Sequence, residues 1–206
     1  MPASNPWLPL FPLEVVLLPG ATLPLHIFEP RYKEMIGECL EQKRPFGVVR
    51  AKDSEVAEIG CTAEILDVVK KYDDGQMDIV TQGRQRFEIL QVHPDRSFLQ
   101  AEVFYLRDDS SRATPEAILR AVQLQGEIMK LAGSEGESGP DRNDPELSFH
   151  LAGSLPVDLD FKQSLLAMKS EPERLQAVID FLENVLPNVR RTLHVRRKAG
   201  GNGHAV

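Results

Sequence analysis

The feature that most constrains the fold is a change of periodicity at Glu29-Pro30. Before it, an extended apolar segment carries Leu23, Leu25, Ile27 and Phe28 in L-P-L-H-I-F, the signature of a strand. After it, Tyr32, Met35, Ile36, Cys39 and Leu40 fall at i, i+3, i+4, i+7 and i+8, one face of an amphipathic helix. Pro30 suits the first helical turn, because its missing N–H would have had no intrahelical partner there. The stretch is therefore a strand handing over to a helix that runs to about Gln42. Arg31 and Tyr32 lie at the corner, where a charge and a phenol can tie the helix start to the sheet.

The residues around this corner read as strands. Residues 1–30 hold seven of the fifteen prolines, which favours short strands, edges and turns over helices. Leu8–Leu13 and Val15–Leu18 read as strand pieces, with a turn at Pro19-Gly20. After the helix come a short buried strand at Pro45–Arg50, a polar loop at Ala51–Ile59 and a long strand at Gly60–Tyr72, anchored by Ile65, Val68 and Val69. Asp73-Asp74-Gly75 is a hairpin turn. The chain returns through Met77–Thr81, a bend or bulge at Gly83, and Phe87–His93, and Phe98–Leu106 closes the β part. So many short strands with one helix predict a strongly curved sheet or partly open barrel.

The polar run Arg107–Ala113 is the natural boundary, and the remainder reads as helices. Thr114 caps the first, with Pro115 at its first position and a wide apolar face from Ile118 and Leu119 to Leu131. Asp144-Pro145 starts a short helix. Asp160 with Gln163, and Ser170 with Glu173, have capping-box spacing for two more. Pro187 should kink or end the last one. The architecture expected is α+β by segregation: a β-rich domain at 1–109, then a helical subdomain at 110–206 with a flexible loop at 133–143 and a basic, disordered tail.

L-P-L-H-I-F-E-P-R-Y at Leu23–Tyr32 resembles the signature of the Lon protease N-terminal substrate-binding domain, shared by stand-alone Lon-domain proteins and by cereblon. Further agreement lies in P-L-E-V-V-L-L-P-G at Pro12–Gly20, I-G-C-T-A-E-I at Ile59–Ile65 and D-G-Q-M-D-I-V-T-Q-G-R-Q-R-F at Asp74–Phe87. K-Q-S-L-L at Lys162–Leu166 and E-R-L at Glu173–Leu175 extend it along the chain. The resemblance implies a PUA-like β pseudo-barrel followed by a helical bundle. It also implies a non-catalytic module that binds exposed segments of unfolded or degradable proteins. A complete Lon protease carries an ATPase module and a Ser-Lys protease module after this domain. This chain stops before either, so neither activity is expected.

Charge and motif content narrow the alternatives. The formal net charge is −7, so any nucleic-acid binding would need a local basic patch. Arg84 and Arg86 flank Gln85 and would share one face of a regular strand; with Lys70 and Lys71 they could build such a patch for an acidic peptide or an RNA phosphate. The plainer reading is a solvated sheet face with rim ion pairs. An RNA-binding role remains the alternative, weakened because aromatics are not interleaved with these cations. Cys39 and Cys61 read as buried small hydrophobes in a reducing cytosol. No run approaches the ~20 apolar residues of a membrane span, and the N-terminus lacks signal-peptide character, so a cytoplasmic protein is expected. The five histidines have no second ligand at metal spacing, no phosphate-binding glycine motif follows a strand, and no nucleophile elbow occurs. No cofactor, metal or catalytic residue is assigned. The peptide contacts expected, from their place at the corner, are His26, Phe28, Arg31, Tyr32 and Arg86, acting beside an exposed strand edge and an apolar groove. The partners expected are unfolded or partly folded polypeptides, with a protease or chaperone as a further candidate.

Overall fold

The computed structural model describes residues 7–53, 55–133, 140–155 and 157–201, with side chains to Arg191. Most of the 133–143 loop, the last residues of the tail and the side chains of His194, Arg196, Arg197 and Lys198 lie outside the described residues. The elements are β1 (Leu8–Leu13), β2 (Thr22–Ile27), α1 (Pro30–Gln42), β3 (Phe46–Lys52), β4 (Glu55–Val56), β5 (Ile59–Lys71), β6 (Met77–His93) and β7 (Gln100–Tyr105), then α2 (Pro115–Ala132), α3 (Leu147–Ser154), α4 (Leu159–Ala167) and α5 (Glu171–Gly201). The chain is α+β, as expected. It forms two compact units, Met1–Asp108 with Pro156–Lys169, and Asp109–Leu155 with Ser170–Val206.

In the first unit the strand pairings run β1-β7-β6-β5-β3, and β3 pairs in parallel with β1, so five strands close a circuit. Phe87 of β6 fills the interior and is fully buried. Its cross-strand partner is Gly60, and a Cβ there would lie 2.7 Å from the ring and 2.5 Å from the backbone oxygen of Val48. A Cβ at Gly47 would meet the same ring at 2.6 Å. Leu8, Leu10, Val49 and Ala101 pack around Phe87. On a second side of this core, α1 buries Tyr32, Met35, Ile36 and Cys39, the residues its spacing selects.

Three local expectations change. Val15–Leu18 is no strand: Leu17 and Leu18 are buried in a loop whose backbone is pressed against Gly83. A Cβ at Gly83 would sit 2.2 Å from the Leu18 carbonyl oxygen, and Gly83 exchanges backbone hydrogen bonds with Gly20 and Ala21. Ala51–Ile59 is not all loop, because β3 runs to Lys52 and pairs with β4. The Asp160–Gln163 capping box does not form. Asp158 caps α4 by accepting from the Phe161 N–H, while Asp160 pairs with Arg50 at 2.5 Å and Gln163 Nε2 donates to the Ile59 carbonyl at 2.9 Å. Both side chains face the strands, which is why residues 156–169 belong with the first unit although they follow the polar linker.

In the second unit Thr114 accepts from the Ala117 N–H at the start of α2, as its spacing predicts. The buried stripe of α2 is narrower than expected: Ala121, Leu124 and Ile128 are inside, whereas Leu119 faces solvent. Pro187 does not end α5. It is exposed while Leu182 and Leu186 stay buried, so packing outweighs a helix-interior proline cost of about 3 kcal/mol. A buried ion pair joins α3 to α5. Arg174 Nη2 donates to Glu171 Oε2 at 2.8 Å, and Glu171 also accepts from the Ser148 hydroxyl at 2.6 Å and from its backbone N–H at 2.9 Å. The Arg174 guanidinium lies 4.3 Å from the Phe149 ring centre.

Three substitutions test these local environments. Gly60→Ala should cost about 1–3 kcal/mol by overpacking, because neither a backbone oxygen nor a core ring can yield. Gly37→Ala, in α1 with open space around it, should gain about 0.5–1 kcal/mol, so urea midpoints should move in opposite directions. Arg174→Ala leaves the Glu171 carboxylate buried without its cation and should cost about 3–5 kcal/mol in the same assay.

Candidate functional site

The corner between β2 and α1 is built as its residues require. Glu29 takes an extended backbone (ψ 135°) and Pro30 occupies the first helical position. The N–H groups of Tyr32 and Lys33 both reach the Glu29 carbonyl. The Glu29 side chain, free of capping duty, accepts from Arg31 Nε at 2.9 Å, and the Arg31 guanidinium lies 4.6 Å over the Tyr32 ring. Lys33 Nζ donates to the Asp74 carbonyl at 3.0 Å, tethering the helix to the β5–β6 hairpin. That hairpin turns at Gly75, φ 83°.

Across the ladder His26 faces Asp78, and His26 Nδ1 lies 2.6 Å from Asp78 Oδ1. The Tyr72 hydroxyl donates to the other carboxylate oxygen at 2.8 Å. The His26 bond first, then that of Tyr72, holds the Asp78 carboxyl below the usual aspartate range. His26 meets the edge of Tyr72 and stacks loosely on Phe28, with ring centres 5.9 Å apart. Phe28 itself is 57% exposed. Among the described residues no three His, Cys, Asp or Glu side chains converge to hold a metal ion.

The five residues singled out at the corner therefore divide. His26, Phe28 and Arg31 are together and reach solvent. Tyr32 is buried, stacked on Phe11 at 4.0 Å, and burial pushes its phenol above the ordinary value. Arg86 is 4% exposed: its guanidinium donates to the carbonyls of Leu166 (2.6 Å) and Met168 (2.5 Å) and pairs with Asp108. It is a tie holding α4 and the end of β7, not a contact offered to a partner.

The expectation that Arg84 and Arg86 share a face fails for a stated reason. Cys61 pairs with Arg86 and Ala63 with Gly83, so β6 carries one extra residue there. The bulge leaves Arg84 and Gln85 outside and turns Arg86 inward. Arg84 instead pairs with Glu64 at 2.5 Å, and Lys70 lies opposite Asp78 with its Nζ 4.3 Å over Tyr72, so no common basic patch assembles.

Bulges also explain the exposure of apolar strand residues, among them Val69, which the sequence reading takes as an anchor of its strand. Ile65 and Asp67 pair with Thr81 and Val80, and Val68 and Lys70 pair with Ile79 and Asp78. The extra residues are Leu66 and Val69, which are 50% and 62% exposed. Ile89 and Gln91 pair with Val103 and Glu102, and the extra residue, Leu90, is exposed as well. The run I-L-D-V-V-K-K, which breaks strict alternation, is the signal that could have found the first two. Each ejected residue belongs to a strand already paired on one side. The β2–β6–β5 ribbon therefore carries Phe28, Leu66 and Val69 on a fixed backbone, β2 and β5 being about 10 Å apart across β6.

The ATP-dependent protease La (LON) substrate-binding domain family matches residues 7–184. The chain belongs to the Lon substrate-binding domain family. Its sequence is 24% identical to the Lon protease of Cytophaga hutchinsonii over 92% of the chain, and 27% identical to that of Paraburkholderia phytofirmans over 90%. It spans about a quarter of those proteins, 26% and 25% of their lengths. Protein cereblon of Xenopus tropicalis is 32% identical over 45% of the chain. The crystal structure of a Lon N-terminal domain protein from Xanthomonas campestris superposes with a TM-score of 0.70 at 28% identity, covering 84% of this chain and 97% of that one. The N-terminal domain of a Mycobacterium avium complex Lon protease shares the fold at 17% identity and a TM-score of 0.63. The corner and the ribbon thus lie in the fold shared by that family. Among the described residues no helix is long and apolar enough to cross a membrane.

The Asp78 cluster yields a direct measurement. His26→Ala removes the largest cause of the lowered carboxyl and should raise the Asp78 pKa towards the ordinary aspartate value, read by carbon-13 titration of side-chain carboxyls. In the parent chain the depressed value means that the paired carboxylate favours the fold above the unfolded-state pKa. That contribution fades as pH falls through the folded-state value.

Proposed function

We propose that this chain is a non-catalytic recognition module that grips exposed apolar segments of unfolded or degradable polypeptides through the β2–β6–β5 ribbon and its corner. Phe28, Leu66 and Val69 are the apolar contacts and His26 and Arg31 the polar ones; Tyr32 anchors the corner from inside, while Arg86 ties α4 to the end of β7. The observation that carries the reading is the exposure of those three apolar side chains, at bulges of β5 and just past the end of β2, within a family named for substrate binding. Apolar contact of this kind reads no main-chain register, which makes the binding sequence-tolerant.

Main-chain strand addition is a poorer mechanism here. Pro24 interrupts the outer edge of β2, and two bulges interrupt β5, both being devices that blunt an edge. The binding is therefore assigned to side chains. The closed five-strand circuit is what a PUA-like pseudo-barrel requires, and α2, α3 and α5 supply the helices of a C-terminal bundle. RNA binding is disfavoured by the net charge of −7 and by the dispersal of Arg84, Arg86 and Lys70. A protease or chaperone partner fits the same role.

Fluorescence anisotropy with a reduced, unfolded protein and its folded form tests the proposal. The unfolded form should bind and the folded form should not. Phe28→Asp and Val69→Asp, both at exposed positions, should each weaken binding roughly tenfold, the loss of about 1.4 kcal/mol of apolar contact, without lowering thermal stability. Equal binding of both forms, or of neither, would sink the reading.

A further inference from the structure

The first unit contains a pocket of about 410 Å³ outside the corner, in the size range of ligand clefts. Two local irregularities form it. On one side the last turn of α1 closes with Lys43 in the left-handed conformation, φ 49°, which is disfavoured for a non-glycine residue. On the other side lies the β6 bulge that throws Arg84 and Gln85 outward. Its backbone is fixed where the Gln85 N–H donates to the Thr62 hydroxyl at 2.9 Å. Without that extra residue Arg84 and Arg86 would share a face; with it, Arg84 lines the pocket and Arg86 stays inside.

The chemistry of the lining is two-sided. Leu40, Pro45, Ile65 and Tyr105 make an apolar wall. Lys43, Arg44 and Arg84 bring three cations to the lining; Arg84 pairs with Glu64 at 2.5 Å and Arg44 with Glu38 at 3.7 Å, which leaves the charge of Lys43 in excess there in a protein whose net charge is −7. Cys39, also in the lining, adds no negative charge, since burial pushes its thiol up to about 11. The negative end of the α1 dipole is muted: the N–H groups of Lys43 and Arg44 already satisfy the Leu40 and Cys39 carbonyls, and both side chains bring cations to that end.

A ligand for such a site needs an anion and an apolar group on neighbouring atoms. A polypeptide C-terminus supplies both on one Cα, whereas a nucleic-acid phosphate is flanked by polar ribose. We propose that this pocket binds the C-terminal residue of a client polypeptide, its α-carboxylate held by Lys43 and Arg84 and its apolar side chain laid against Ile65 and Tyr105. This inference rests on the polypeptide-binding function proposed above and adds a class of client end. Arg84 can turn from Glu64 to the incoming carboxylate at little cost, because both side chains of that pair are about half exposed.

The test uses the full chain and a dye-labelled ten-residue peptide ending in leucine, as the free acid and as the C-terminal amide, with a reduced, unfolded protein in parallel. The acid should bind at least about tenfold more tightly than the amide at low salt, with the gap shrinking as salt is added. Lys43→Ala combined with Arg84→Ala should abolish the gap, and the acid should shift the backbone amide resonances of Lys43 and Gln85 in the parent chain. Equal affinity for acid and amide while the unfolded protein still binds would overturn the carboxylate pocket and leave the broader function standing. Binding of neither peptide and no unfolded protein would overturn both. A preference for the acid that survives the double variant, with no shift at Lys43 or Gln85, would place the carboxylate elsewhere and also overturn the inference.

Discussion

The first unit depends on one ring meeting two missing side chains. Phe87 sits where β3, β5 and β6 come together, and the space it fills exists because positions 47 and 60 are glycine. A buried phenylalanine is worth several kcal/mol of apolar burial, but only if the strands approach closely enough to enclose it. Gly47 also lies on β3 opposite Leu10 of β1, the parallel pairing that completes the circuit. The same contact that anchors the core therefore sets the distance at which the sheet closes. Among the described residues, strand with one side unpaired is confined mainly to β2, β4, the distal part of β5, the last residues of β6 and residues 102–105 of β7.

That confinement decides what the surface can display. Along β5 and β6 the ladder is interrupted four times, and at each interruption one residue has no partner to pack against. Leu66, Val69 and Leu90 are exposed because the backbone ejects them, whatever their own hydrophobicity. The cost of leaving them in water is carried by the closed sheet behind. The bulge beside Gly83 is needed twice over: it admits the Leu18 backbone against Gly83 and separates Arg84 from Arg86. One then lines a pocket, while the other ties down residues 166 to 168.

The parts legible in the sequence are those governed by interactions within a few residues. The β2–α1 boundary follows from Pro30, the α1 face from its spacing, the Thr114 cap from one hydroxyl, and the Asp-Asp-Gly hairpin from one glycine. The parts that were not legible depend on a partner distant in sequence. Whether Arg86 is a surface cation or a buried tie is settled by carbonyls 80 and 82 residues away, and whether Asp160 caps a helix or pairs with Arg50 is settled 110 residues away. Of the corner residues, His26 is exposed and its neighbour Ile27 buried along β2. The pattern along β2 says nothing of Tyr72 and Asp78, which complete the cluster from the opposite strand. Register shifts are the hardest to read, since each converts an inward position to an outward one with only a local break in alternation as its trace.

A recognition surface made by register shifts has a consequence for specificity. Contacts through a strand edge would impose a repeating main-chain register on any partner, with pockets for alternate side chains. Pro24 and the bulges of β5 blunt those two edges, so under the proposed function the partner's backbone would be left unread and apolar surface sensed instead. Apolar contact discriminates weakly between sequences and strongly between folded and unfolded chains, because only the latter expose enough of it. The proposed terminus pocket beside α1 would supply what such a surface lacks, a fixed point in the partner chain. A terminus occurs once per polypeptide, so a site that binds it sets where along the chain the less selective apolar contacts begin, and the two sites acting on one segment would gain through effective concentration rather than through individual strength.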